Sequence, residues 1–245
     1  MTHQYQFTLE GVGINPHYES RDFYFITYLL ESVAKTFYKY DLTAYHLQQD
    51  HMSWIVSDIL VEYYGKPLKW RDVIDVKMGF RHTKGLRIYC DFEVYHKKTK
   101  IAQATMLWVV IDEVKRRPKI YPAVEERLPL YNNPPYKDFK FQRIEDLQLP
   151  TVQEQDIRYS VIDFNHHLNA YQYFRFSYDA LPSTFVDQHY PLKFQAKFEH
   201  EIMLGEIAKM SYTLDNLSSY HKITCLKNGQ ESTSFKLKVE WNKRS

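Results

Sequence analysis

Hydrophobic and polar positions along the 245 residues follow one order twice. Tyr5 to Leu9 alternates as a half-buried strand does, and a helical pattern runs from Tyr18 to Tyr40. Within it Leu30, Ala34 and Tyr38 recur every fourth residue beside Ile26, Val33 and Phe37, which predicts a buried stripe on a long helix. Asp50 to Tyr64 reads as an aromatic-rich strand or strand pair centred on Trp54-Ile55-Val56, closed by a turn at Gly65-Lys66-Pro67. Strands are expected at Val73 to Phe80, Leu86 to His96 and Ile101 to Ile111. The alternation of Ile88, Cys90, Phe92 and Val94 is the clearest of these, and Lys97-Lys98-Thr99-Lys100 suits a hairpin connection.

After this set the prolines crowd together, at Pro118, Pro122, Pro129, Pro134, Pro135 and Pro150. Proline disfavours helix interiors and central strands, so residues 113–149 read as a linker crossing a surface. The order then returns. Gln153 to Ile162 alternates, with Ile157, Tyr159 and Val161 on one face. A helical pattern spans Asn169 to Leu181 and stops at Pro182. Strand patterns follow at Leu192 to Ile202, Ile207 to Leu214, Tyr220 to Lys227 and Ser232 to Trp241, with Asn228-Gly229 as a hairpin turn.

Each half is thus a strand, one long helix and several antiparallel strands. A sheet wrapped around a single helix satisfies this order, as does another α+β sandwich. The expected organisation is α+β, two tandem hot-dog domains, residues 1–130 and 131–245. The length suits two such domains.

Composition adds exclusions. Hydrophobic residues make up 44% and charged residues 25%, so a real core can form. No run of about 18 apolar residues occurs, so no membrane span is expected, and the first seven residues lack the pattern of a signal peptide. The two cysteines, Cys90 and Cys225, form no CxxC pair, and the expectation is two free thiols in a cytoplasmic protein. A net charge of +2 gives no reason to expect nucleic-acid binding. Two basic clusters, Lys97 to Lys100 and Lys115 to Arg117, could be solvated turns or meet an acidic partner.

The stretch richest in chemistry runs from Val161 to Tyr173, between a strand and a helix. If it is extended, Asp163, Asn165 and His167 share a face, and Asn169 stands where it would cap the helix. A carboxylate, an imidazole and an amide can activate water, move a proton and polarise a carbonyl. They are also the residues that build an ordinary turn. No spacing typical of a zinc site is present, and no metal or cofactor is expected.

Asp163, Asn165, His167, Asn169 and Tyr173 resemble the Asp-x-Asn-x-His-x-Asn-Asn-x-x-Tyr motif of the acyl-acyl-carrier-protein thioesterases of plants and bacteria, with Ala170 where the second Asn often stands. Lys197-Phe198-Glu199-His200-Glu201-Ile202 resembles that family's Tyr-Arg-Arg-Glu-Cys segment, placing Glu201 at its catalytic Glu and Ile202 at its Cys. Tyr89 to Tyr95, Trp108 to Asp112 and Lys115 to Pro118 resemble its first half more loosely. The resemblance implies hydrolysis of fatty acyl thioesters on acyl carrier protein by Asp163, Asn165, His167 and Glu201. It also implies tandem hot-dog domains, with the acyl chain entering the first, where Phe23, Phe25, Tyr28, Phe37 and Trp54 could line a tunnel or simply form the core. An isoleucine cannot be a nucleophile, so the resemblance does not extend to a Cys-His mechanism at position 202.

Two other functions fit parts of the pattern. An acyl-CoA thioesterase of the wider hot-dog superfamily would use Asp163 and leave Glu201 without a duty. A non-catalytic acyl-binding protein would explain Ile202 but not four retained polar residues. A homodimer is compatible with either, though one chain already supplies two such domains.

Overall fold

The computed structural model describes residues 3–83, 86–130, 140–227 and 229–244. The chain divides into two compact units, Met1–Lys140 and Phe141–Ser245. The first contains β1 (His3–Thr8), α1 (Asp22–Lys39), α2 (Ala44–Gln48), β2 (Met52–Tyr63), β3 (Val73–Thr83), β4 (Arg87–His96), β5 (Thr99–Asp112), β6 (Arg117–Pro118) and α3 (Pro122–Arg127). Its strands pair antiparallel in the order β1-β3-β4-β5-β2, with β6 on the end of β5. The second contains β7 (Gln153–Asp156), α4 (Ala170–Asp179), α5 (Ser183–Gln188), β8 (His189–Phe198), β9 (Ile207–Asp215), β10 (Ser218–Lys227) and β11 (Gln230–Lys243). Here the antiparallel order is β8-β11-β10-β9-β7. Each unit is therefore one antiparallel sheet carrying one principal helix, the hot-dog arrangement.

Pattern and structure agree best where side chains alternate strictly. Ile88, Cys90, Phe92 and Val94 of β4 are all buried. His96 pairs with Thr99, so Lys97 and Lys98 form a two-residue turn with φ of 48° and 69°, the left-handed pair that a tight hairpin needs. Lys227 pairs with Gln230 across the connection expected at Asn228-Gly229, and Gly229 has φ 78°; Asn228 lies outside the described residues, as do Pro134 and Pro135.

The buried stripe of α1 is the expected one only in part: Ile26, Val33 and Phe37 are buried as the pattern asked. Ala34 and Tyr38 face solvent, and the buried side chains are Phe25, Ile26, Tyr28, Leu29, Ser32, Val33, Thr36 and Phe37. Ser32 Oγ donates to the Tyr28 carbonyl at 2.7 Å and Thr36 Oγ1 to the Ser32 carbonyl at 2.9 Å. Satisfied within their own helix, these hydroxyls are buried without a stranded polar group. Phe37 stacks on Trp54 at 4.4 Å, and the Trp54 indole donates to the Leu42 carbonyl at 2.7 Å.

The proline-rich stretch is also more structured than a bare linker, because β6 and α3 lie within it. From 140 to 150 the chain has neither helix nor strand and crosses the face of the second sheet opposite α4. Gln195 grips it at both peptide atoms of Gln142, accepting from the N–H at 2.9 Å and donating to the carbonyl at 2.6 Å. Farther along, Asp146 meets Lys222 at 2.8 Å and Lys236 at 3.5 Å, two nearly buried ammonium groups. The hydrogen bond from Lys222, and then the charges of both lysines, hold the Asp146 carboxyl below its ordinary range against the effect of burial.

On the helix side of that sheet, Trp241 Nε1 donates to Ser219 Oγ at 2.8 Å, and Ser219 Oγ shares a hydrogen bond with Nε2 of buried His221 at 2.8 Å. Burial pushes His221 down to about 3, offset in small part by the Ser177 backbone. The ring is neutral in the folded protein at ordinary pH.

Candidate active site

The stretch after β7 is not extended through Ile162 as its alternation suggested. Tyr159–Val161 forms one 3-10 turn, and the chain then doubles back on itself. Ile162 faces Leu168 as an antiparallel bridge. The Asp163 N–H donates to the His167 carbonyl at 3.0 Å and the His166 N–H to the Asp163 carbonyl at 3.0 Å. Inside this loop the Asn165 N–H donates to Asp163 Oδ1 at 2.8 Å, the hydrogen bond for which aspartate is favoured in turns. His166 takes the left-handed position, φ 65°, and its side chain is exposed. Asp163, Asn165 and His167 are thus gathered by hairpin closure rather than by strand alternation. Asn169 caps α4, its Oδ1 accepting the Tyr171 N–H at 3.2 Å.

The second motif also ends differently from expectation. β8 stops at Phe198, so Glu201 and Ile202 lie in the irregular stretch that follows. That stretch is fixed by the turn just described. His167 bridges Met203, and the Leu168 N–H donates to the Ile202 carbonyl at 2.8 Å. Glu201 immediately precedes Ile202 and is half-buried. Tyr173, on the second turn of α4, completes the arrangement: its hydroxyl accepts the Ile202 N–H at 3.1 Å. Burial first, then the charges of Cys225, Glu201 and Asp163, push this phenol well above its ordinary range, against the pull of the Ile202 N–H. Both carboxylates therefore lie within electrostatic reach of one hydroxyl. Tyr173 is the residue the motif contained but to which sequence reasoning gave no duty.

His167 Nδ1 stands 3.8 Å from Asp163 Oδ1, with both side chains largely shielded. This is a charge-pair separation, longer than a hydrogen bond, of the kind that tightens when substrate fills a site. Asn165 Oδ1 is buried and has no hydrogen-bond partner among the described residues. Ile202 is fully buried. Cys225 is also fully buried, within 3.3 Å of Ser234 Oγ, and burial raises the Cys90 thiol well above its ordinary range. Among the described residues no group of three or more His, Cys, Asp or Glu is arranged to hold a metal ion.

The same loop occurs in the first unit. Gly11–Gly13 forms its 3-10 turn, Ile14 bridges Ser20, and Glu19 bridges Lys69. The Asn15 N–H donates to the Glu19 carbonyl at 2.8 Å, the Tyr18 N–H to the Asn15 carbonyl at 3.0 Å, and the Ser20 N–H to the Leu68 carbonyl at 2.8 Å. The His17 N–H donates to Asn15 Oδ1 at 2.9 Å, and Tyr18 has φ 59°. Position by position, Asn15, His17, Glu19, Pro67 and Phe25 stand where the second unit has Asp163, Asn165, His167, Glu201 and Tyr173. Glu19 is tied to Lys69 at 3.0 Å. The backbone is shared; the first copy carries its imidazole and carboxylate, His17 and Glu19, at other places of the loop, and has Pro67 where the second has the Glu201 carboxylate.

Residues 26–126 match the acyl-ACP thioesterase N-terminal domain, and residues 144–243 match the acyl-ACP thioesterase C-terminal domain. The chain belongs to the acyl-ACP thioesterase family. It is a thioester hydrolase acting on fatty acyl-acyl-carrier protein, and all four motif residues fall in the C-terminal match. No curated protein matches the sequence. Among solved structures it is similar to an acyl-ACP thioesterase from Bacteroides thetaiotaomicron, at 18% identity over 98% of this chain and 97% of that one, with a TM-score of 0.86. It is similar also to the 12:0-ACP thioesterase from Umbellularia californica, at 16% identity over 99% and 97%, with a TM-score of 0.88. At such identities the likeness concerns the fold. No helix among the described residues is long and apolar enough to cross a membrane.

Ile202, which the motif resemblance sets against the family's Cys, has its side chain packed in the interior while its peptide is held from both sides. Replacing Ile202 by Cys is expected to change kcat less than about threefold and to cost about 1–2 kcal/mol of stability through lost packing. Steady-state rates and urea unfolding check both, and a large gain in rate would show that the thiol takes part.

Proposed function

We propose that hydrolysis proceeds at the Asp163–His167 turn, with Glu201 as the general base. The supporting observation is the junction of the two motifs: His167 bridges Met203 and Leu168 bonds the Ile202 carbonyl, so residues 34 positions apart (167 to 201) meet on adjoining backbone. Asp163 spends one oxygen on the turn itself, accepting Asn165 N–H, and is suited to orient His167. Glu201 is then the carboxylate to take a proton from water as that water attacks the thioester carbonyl. His167 passes a proton to the departing thiolate. The Asn165 amide offers its N–H to the developing oxyanion, and its buried Oδ1 accepts from the attacking water. The products are a free fatty acid and the carrier thiol, with the water's proton returned to that thiol. The first unit, which has Pro67 at the place of Glu201, is assigned the acyl chain.

Thiol release from acyl groups on carrier protein and on CoA tests the reading together with Glu201→Gln and His167→Gln. Faster turnover of the carrier-bound group, lost in both variants, is expected. Equal rates on both thiols would favour the acyl-CoA reading, and full activity in both variants would remove these residues from the chemistry.

A further inference from the structure

We propose that Tyr173 is a positioning residue for hydrolysis, its hydroxyl clamping the Glu201–Ile202 peptide and so fixing how Glu201 is presented to the site. The inference rests on the site assignment above and deepens it. The hydroxyl oxygen accepts the Ile202 N–H at 3.1 Å, and the carbonyl of the same residue accepts Leu168 N–H at 2.8 Å. Ile202 is thereby held by α4 on one side and by the catalytic turn on the other. The peptide so fixed is the one that follows Glu201, so the clamp sets the direction in which that carboxylate leaves the backbone.

The duplicated loop indicates that the fold does not require the hydroxyl. In the first unit Phe25 stands at the equivalent place, and the bond from Ser20 N–H to the Leu68 carbonyl forms all the same. At this place a hydroxyl stands in the copy whose held peptide follows a carboxylate, Glu201, and a bare ring in the copy where it follows Pro67. Around it stand Asp163 from the turn, with His167 beside it, Glu201 from the stretch after β8, Cys225 from β10, and the rings of Phe198 and Phe235.

The test is the steady-state kinetics of Tyr173→Phe beside those of the wild-type protein. Loss of the acceptor frees the Glu201–Ile202 peptide, so kcat is expected to fall by about tenfold or more with KM within about twofold. Incorporation of 3-fluorotyrosine at 173 keeps the side chain's shape and weakens its oxygen as an acceptor, so kcat should fall by an intermediate factor. A phenylalanine variant with wild-type kcat, losing only thermal stability, would reduce Tyr173 to a packing residue. A fluorotyrosine protein no slower than wild type beside a slow phenylalanine variant would also overturn the proposal. If Glu201→Gln instead keeps the wild-type rate, the site assignment itself fails, an outcome distinct from failure of the clamp alone.

Discussion

Glu201→Gln is expected to lower kcat for acyl-carrier-protein hydrolysis by about 10²–10⁴-fold, the range that a positioned general base contributes. The carboxamide has nearly the shape of the carboxylate, and position 201 is half-buried beside a backbone held at Ile202 from both sides. Substrate should therefore still bind, and KM should stay within a few-fold, because the interaction removed is made in the transition state. What disappears is the capacity to accept a proton. Steady-state thiol release with saturating acyl-carrier protein measures the effect, and circular dichroism confirms that the fold survives. A kcat within about threefold of wild type would assign the base elsewhere, with Asp163 next in line.

The second large effect concerns acid. His221 is pushed down to about 3 by burial, against an ordinary 6.5. Between those values the unfolded chain holds one more proton than the folded one. The stability associated with the neutral ring is whole above about pH 6.5 and drains away as pH falls, by about 1.4 kcal/mol per unit. Asp22 works in the opposite sense. Pushed up to about 8 by burial, it keeps its proton in the folded state where the unfolded carboxyl has lost it, so its contribution falls as pH rises from about 4 to 8. From about pH 4 to 6.5 the two slopes oppose each other, and the wild-type profile is flattened. His221→Gln leaves an acceptor for Ser219 but removes one titration. Urea unfolding at about pH 7, 6 and 5 should show the variant gaining on wild type once the pH falls below about 6.5, the gain approaching about 1.4 kcal/mol per unit by about pH 5. Parallel profiles for the two proteins would mean that the ring is charged in the folded state.

The sequence was most readable where one physical constraint acts alone. A strand buried on one side must alternate, and β4 does; a helix must be capped, and Asn169 does so; proline cannot continue a helix, and α4 ends before Pro182. It was least readable where polar groups hide their polarity. Ser32 and Thr36 look like solvent positions and are buried, since each hydroxyl is satisfied one turn back. The short helices α2 and α3 carry too few residues for a period to show.

The candidate site follows the same division. The motif supplied Asp163, Asn165, His167 and Glu201, but alternation misjudged how the first three come together, because a hydrogen bond between positions 163 and 167 leaves no mark on hydrophobic spacing. The duplicated loop was hidden as well. Its two copies share backbone bonds, while Ile14 and Ile162 are the only identical pair from Ile14–Arg21 set against Ile162–Asn169. Tyr173 stood in the motif, yet its purpose depends on a contact with residue 202 that only folding creates.

The segment from 140 to 150, gripped by Gln195 and anchored through Asp146, has a consequence for handling the protein. Two ammonium groups and an amide on the second sheet are shielded only because the chain lies across them. A truncation that began at β7 would keep every strand of that sheet but remove Asp146, leaving Lys222 without its carboxylate while Lys236 kept Glu199. Such a fragment would turn to water a charged surface that the intact chain keeps covered. Dissection of the C-terminal half should therefore begin upstream of Lys140, at a point chosen for the cover rather than for the first strand.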